Sequence, residues 1–272
     1  MTHQISILGC GWLGLPLAQK LVDNNFKIKG STTNFGKLMT LENANIVPYI
    51  ISISEERIIG DTAKFLENSQ ILIIAIPPKL RRENAENFVK KIAHSIPFIE
   101  NSTVKKVIFI SSTSVYNDFI IDENITTVTE DSTEVPNTEV GRQLLQIEQL
   151  LMSNQNFETT VIRFGGLIGS DRNPTRIVAS KSNIENPLAP INFIDLDDCI
   201  NIICKIIEQD VWNNVFNAVC PHHPTRRDYY SQNAKTLGLD NLQFNESKKS
   251  VGKIVSSEKL IKTLEYQFKK MI

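Results

Sequence analysis

Ten consecutive residues constrain this chain more than any others: Ile5-Ser6-Ile7-Leu8-Gly9-Cys10-Gly11-Trp12-Leu13-Gly14. A short apolar run, which reads as a buried strand, empties into G-x-G-x-x-G. Leu15, Leu17, Ala18, Leu21 and Val22 then recur at helical spacing. Strand, glycine turn and helix in that order give the motif its meaning. Gly9 allows the tight turn, Gly11 the close approach of backbone to a diphosphate, and Gly14 the close packing of helix on strand. The backbone of Cys10, Trp12 and Leu13 completes the loop, and the free N–H groups at the helix start face the anion. The expectation is a dinucleotide-binding loop; the plain alternative is a glycine-rich turn.

At 272 residues the chain can bury a full core, and its 41% hydrophobic and 22% charged content is that of an ordinary globular protein. A net charge of −1 gives no electrostatic ground for binding nucleic acid or an anionic membrane. Cys10, Cys199, Cys204 and Cys220 form no C-x-x-C pair and read as reduced thiols of a cytoplasmic protein. The first strand leaves no room for a signal peptide, and no apolar run approaches the roughly 20 residues that cross a bilayer. The expectation is a soluble, cytoplasmic protein.

Phe26-Lys27-Ile28-Lys29-Gly30-Ser31 reads as the second strand. A site for NAD would place Asp or Glu near its end to hold the ribose hydroxyls. No acid stands between Asp23 and Glu42; the stretch offers Lys29, Ser31, Thr32, Thr33 and Lys37 instead. Hydroxyls and a cation suit a 2′-phosphate, which accepts hydrogen bonds and needs charge compensation. NADP is therefore the expected cofactor and NAD the alternative; read plainly, residues 31–33 are a polar turn.

Residues 46–53 read as a third strand, with Pro48 suited to an edge. Ile71-Leu72-Ile73-Ile74-Ala75-Ile76 is an unbroken apolar run, the mark of a parallel strand covered on both faces. Ile76, Pro77 and Pro78 end it at the sheet edge where ligands bind in open α/β folds, and are expected beside the cofactor. Arg81 and Arg82 read as a solvated start to a helix over 83–99, and Val107-Ile108-Phe109-Ile110 as a further buried strand.

That strand runs into Ser111-Ser112-Thr113-Ser114-Val115-Tyr116. Three later stretches follow: Val161-Ile162-Arg163-Phe164-Gly165-Gly166-Leu167-Ile168-Gly169 with Arg172, Ile194-Asp195-Leu196-Asp197-Asp198, and Val215-Phe216-Asn217. In this order they resemble the extended short-chain dehydrogenase/reductase superfamily, which includes nucleoside-diphosphate-sugar epimerases and dehydratases. S-S-x-S-V-Y is similar to the end of that family's fifth strand, and I-D-L-D-D to its I-H-V-D-D with Asp195 in place of histidine. The resemblance spans essentially the whole chain.

The resemblance implies an α/β fold: a doubly wound parallel sheet (Rossmann) with a small C-terminal lobe capping the substrate. Residues 1–165 with 192–217 would form the dinucleotide-binding domain, and 166–191 with 218–272 the lobe. Ser112 matches the family's serine that binds and polarises the reacting oxygen, and a hydroxyl there can donate to a carbonyl as charge develops. Ser111 beside it would face the cofactor. The family's acid/base is the tyrosine of Y-x-x-x-K on the next helix. Anchoring the register on Gly141-Arg142 and Glu148 puts Val140 and Leu144 in the places of tyrosine and lysine. Neither can move a proton, and Val140, Leu144, Ile147 and Leu151 form a helical stripe typical of core. Tyr116 is then the best remaining phenol; Glu139 and Arg142 are weaker candidates.

By the same analogy Arg163, Arg172, Asn173, Arg176 and Asn192 would face a substrate pocket, arginine forks suiting phosphate or carboxylate. No metal site is expected, since His222-His223 has no further ligand at workable spacing. Asp195 and Thr225 read as helix caps. Two functional readings result. One is an NADP-dependent oxidoreductase or epimerase-like enzyme acting by hydride transfer on a small polar substrate, a nucleotide-sugar being one candidate. The other is an NADP-binding sensor or partner-binding module without turnover. No nucleic acid or membrane is expected as a partner, and a homodimer is left open.

Overall fold

The computed structural model describes residues 3–80, 85–180, 183–239 and 242–272. In it the apolar runs become strands of one parallel sheet: β1 (Gln4–Leu8), β2 (Lys27–Thr32), β3 (Ile46–Ile50), β4 (Ile71–Ile74), β5 (Lys106–Ser112), β6 (Glu158–Phe164) and β7 (Val215–Ala218). Their spatial order is β3-β2-β1-β4-β5-β6-β7, with each neighbouring pair parallel. The chain winds outward from β1 in one direction and from β4 in the other. This is a doubly wound α/β fold, and the strand order reverses between β1 and β4, where such sheets bind ligands at their carboxyl ends.

The helices are α1 (Gly14–Asp23), α2 (Leu38–Asn43), α3 (Thr62–Leu66), α4 (Phe88–Glu100), α5 (Glu139–Met152), α6 (Pro174–Ala179), α7 (Leu196–Glu208), α8 (Arg226–Thr236) and α9 (Glu258–Leu264). Alternate strand residues divide between two cores, as a sheet covered on both faces requires. Ile5, Ile7, Ile73 and Ile108 pack with Leu17 and Leu21 of α1, Ile202, Ile203 and Ile206 of α7, and Leu260 and Leu264 of α9. Leu72, Ile74, Val107 and Phe109 pack on the other face with Phe88 and Ile92 of α4 and Leu144, Ile147 and Leu151 of α5. A small third core gathers Val178, Ile184, Ile191 and Tyr230 against Phe193, Tyr229 and Phe244.

Three expectations need correction. The strand read over 46–53 is cut at Ile50, and Ser52–Ile53 turns away to pair antiparallel with Ile58–Ile59. β3 is the sheet edge, where Pro48 removes no ladder donor that a neighbour requires. α4 begins at Phe88, with Asn87 accepting from the Lys90 N–H as its cap; Arg81 and Arg82 lie outside the described residues. The segment 218–272, read as lobe, is divided by packing: Val255, Leu260, Leu264 and Tyr266 belong to the sheet cores. Buried Asp198 fixes that return. It accepts from the Tyr266 hydroxyl (2.7 Å) and from the Lys269 N–H (2.9 Å). Among the described residues no helix is long and apolar enough to cross a membrane.

Candidate functional site

β1 delivers the chain to the carboxyl edge at Leu8, and Gly9 turns it with φ +104°, a conformation that side chains rarely permit. A Cβ on Gly14 would lie 2.1 Å from the Gly9 carbonyl oxygen, so only glycine lets α1 start against the loop. Ile76, two residues past β4, closes the other side, its Cγ2 2.8 Å from where a Gly9 Cβ would be. Gly11 differs: a Cβ there meets nothing within 4 Å. The loop is held from behind by Ser31, whose hydroxyl accepts from the Gly9 N–H (2.9 Å) and whose carbonyl accepts from Cys10 (2.7 Å). The Cys10 thiol points inward, and burial pushes its pKa up to about 12.

The start of α1 is left open to a ligand. Leu13 occupies its capping position with no side-chain hydrogen bond, and the first turn holds no acid. Asp61, Asn87, Thr138, Asp195 and Thr225 cap α3, α4, α5, α7 and α8 with side-chain oxygens. Unclaimed N–H groups and the positive dipole end favour an anion. With open space over Gly11, these residues fit the diphosphate of a dinucleotide.

At the end of β2 the structure narrows the candidates. The Lys29 ammonium is buried and donates to the carbonyls of Lys64 and Glu67 at the end of α3, so it is not free for a phosphate. Burial lowers its pKa, against the pull of Glu67 and Asp61. The Ser31 hydroxyl is engaged with Gly9, and that of Thr32 accepts from the Asn34 N–H. Thr33 and Lys37 remain exposed, and Lys37 is near enough to the glycine loop to act on Cys10 electrostatically. Pro77 is exposed and Pro78 half-buried just past β4.

Beneath the site lies a buried polar row that sequence reading missed. Ser111, Arg163 and Asn217 stand side by side on β5, β6 and β7 and share the face covered by α5. Arg163 meets Glu148 of α5 in a bidentate pair whose two side chains are 7% and 3% exposed, with Nη2–Oε2 2.6 Å. Ser111 donates to Glu148, Arg163 Nη1 donates to the Tyr116 hydroxyl (2.6 Å), and Tyr116 donates to Asn217 (2.8 Å). Burial opposes the charge on Arg163, but Glu148 and Tyr116 together outweigh it and hold the guanidinium more firmly cationic than usual. Burial also raises the Tyr116 pKa, with Arg163 pulling the other way.

Arg163, Tyr116 and Ser111 therefore do not take the substrate, acid/base and cofactor positions expected of them, because each is sealed into this network. A signal existed: arginine inside the apolar run Val161-Ile162-Arg163-Phe164 requires a buried partner.

Ser112 sits at the carboxyl end of β5, half-buried; its hydroxyl accepts from the Ser114 N–H (3.2 Å) and shares a 3.1 Å hydrogen bond with the Ser114 hydroxyl, in which either can donate. α5 approaches this turn closely, since a Cβ on Gly141 would be 2.4 Å from the Ser114 carbonyl. Leu144 is 1% exposed in the core and Val140 packs against it. Glu139 and Arg142 pair with each other on the surface, and Arg142 also holds the carbonyls of Pro136 and Asn137.

Among the expected substrate residues, Asn173 caps α6 and Asn192 clasps the backbone of Lys253 and Val255; both side chains are structural. Arg176 is exposed. Arg172 lies against the glycine loop, its guanidinium 5.0 Å from the Trp12 ring, while the Trp12 indole N–H donates to Asp171 (2.8 Å). Among the described residues no cluster of three or more His, Cys, Asp or Glu could hold a metal.

No protein-family model matches the chain. Protein YeeZ of Escherichia coli K12 is 29% identical over 269 residues, covering 97% of this chain and 96% of YeeZ. UDP-glucuronic acid 4-epimerase from Bacillus cereus, solved in complex with NAD, superposes with a TM-score of 0.79 at 19% identity, covering 98% of this chain and 92% of that one. UDP-glucose 4-epimerase from Thermotoga maritima, solved with UDP-glucose, gives 0.79 at 15% identity, covering 98% and 94%. The fold is thus that of NAD-dependent epimerases and dehydratases.

Proposed function

We propose that this chain binds a nicotinamide dinucleotide, NADP in preference to NAD, and serves oxidoreductase or epimerase-like chemistry on a small polar substrate such as a nucleotide-sugar. The observation that carries the proposal is the division of roles in the loop: Gly9 and Gly14 admit no side chain for packing reasons, whereas a Cβ on Gly11 would meet open space, so packing does not account for that glycine and close approach of a ligand does. The solved neighbours with this architecture support a dinucleotide and a sugar nucleotide as the ligand classes. When bound, the nicotinamide supplies a hydride donor or acceptor. Ser112 would turn its hydroxyl proton to a reacting carbonyl oxygen, with Ser114 donating to it in turn, and Thr33 and Lys37 would face the 2′-phosphate. Four free, buried thiols suit a reducing, cytoplasmic compartment.

A second reading, binding without turnover, is favoured by one observation: where the family pattern has a lysine, Leu144 is embedded in the core. Calorimetric titration with NADPH and NADH, followed by assay against sugar nucleotides and simple carbonyl compounds, separates the two. Submicromolar to micromolar binding with turnover supports the first, and binding with no turnover across the panel supports the second. Failure of both dinucleotides to bind would reject both readings. Lys37→Ala should reduce the NADP:NAD affinity ratio by about tenfold, the size of one charge-assisted contact; an unchanged ratio rejects the 2′-phosphate assignment.

A further inference from the structure

The glycine loop is touched by a second element that arrives from far along the chain. Residues 169–172 form a tight reversal in which the backbones of Gly169 and Arg172 exchange hydrogen bonds of 3.2 and 3.1 Å. The reversal is fitted to Trp12, the residue after Gly11. A Cβ on Gly169 would lie 2.9 Å from the indole ring, Asp171 accepts the indole N–H, and the Arg172 guanidinium lies over the ring, 5.0 Å from its centre. Asp171 is thereby engaged with Trp12. Arginine ion pairs among the described residues are made by Arg142, Arg163 and Arg227, not by Arg172.

The loop itself is short of positive charge. The N–H groups of Gly9, Cys10 and Gly11 are occupied by Ser31 and Gly9, and Lys29 is buried elsewhere. The helix dipole supplies about half an elementary charge, against two negative charges on a dinucleotide diphosphate. A guanidinium held over an aromatic face by cation–π attraction, and not spent on an ion pair, keeps its N–H groups for bidentate contact with phosphate.

We infer that Arg172 is a cofactor-binding residue: carried on the reversal at 169–172 and seated on Trp12, it meets the diphosphate of the dinucleotide rather than the substrate. The segment between β6 and α6 is thereby part of the cofactor site, and dinucleotide binding bears directly on the lobe that α6 opens.

The inference rests on the dinucleotide reading above, and one set of titrations distinguishes them. Binding of NADP, NAD and adenosine 2′-monophosphate, which lacks the diphosphate, is measured by calorimetry for the unmodified protein, Arg172→Ala and Arg172→Lys. Arg172 is exposed, so both variants should keep the native circular dichroism spectrum. The expected result is that Arg172→Ala weakens NADP and NAD by the same factor, about ten- to a hundredfold, the range of charge-assisted hydrogen bonds. The monophosphate should be unaffected, and Arg172→Lys should recover only part of the loss. If the unmodified protein binds NADP and Arg172→Ala binds it equally well, the inference is overturned while the dinucleotide reading stands. If the monophosphate is weakened equally, the effect is not on the diphosphate and the inference is again overturned. If the unmodified protein binds neither dinucleotide, the reading beneath it fails first.

Discussion

Gly11 and Gly14 stand three residues apart, yet their alanine variants should behave oppositely. Gly14→Ala forces a Cβ onto the Gly9 carbonyl and should cost about 1–3 kcal/mol of stability, as overpacking does. Gly11→Ala has room, so its stability should stay within about 0.5 kcal/mol of the parent while dinucleotide affinity falls. Thermal unfolding and calorimetry together check the pair; a Gly11 variant that binds normally would remove the loop from the site. The glycines were legible because their roles are backbone geometry, which the motif itself encodes. Ser31 was not, since its hydroxyl could serve a phosphate or the Gly9 N–H and only the fold brings Gly9 within reach. Ser111, Tyr116 and Arg163 misled for the same reason: their partners lie on three other elements.

α5 carries the departure from the family pattern, and its role in this chain is to cover a charge. Removing the Glu148 carboxylate would leave Arg163 buried and unpaired, so Glu148→Ala should cost about 3–5 kcal/mol. Urea unfolding measures it, and a loss under about 1 kcal/mol would mean that water reaches Arg163. The stripe Val140, Leu144, Ile147 and Leu151 was readable as core from its spacing, and three of the four are fully buried. The strand at 46–53 was overread because β propensity continues past Ile50 while the sheet does not. Gly60, with φ +118° and no room for a Cβ against the Ile50 carbonyl, brings the chain back there.

At the scale of the molecule, the parallel sheet was legible because doubly covered strands must be apolar throughout, and runs such as 71–76 have no other use. The boundary of the lobe was less so, because an amphipathic helix such as α9 shows that it packs but not on what. The thiols offer a global check. All four cysteines are buried, and burial pushes Cys10 to about 12 and Cys204 to about 11. The native protein at pH 8 should therefore show no fast-reacting thiol with a disulfide reagent, and four after unfolding. A native thiol reacting within seconds would contradict this packing.

The packing of α9 on β7, and of Tyr266 on Asp198 of α7, has a consequence for biosynthesis. The glycine loop and its flanking elements emerge long before α9, and the sheet face on which β7 and α7 lie is not fully covered until Tyr266 has emerged. At about 5–20 residues per second, that face stays partly bare for roughly two to ten seconds after β7 has emerged. The parallel sheet of this chain cannot finish folding as its strands emerge; it waits for its own distal segment, and until then presents a surface that chaperones would recognise.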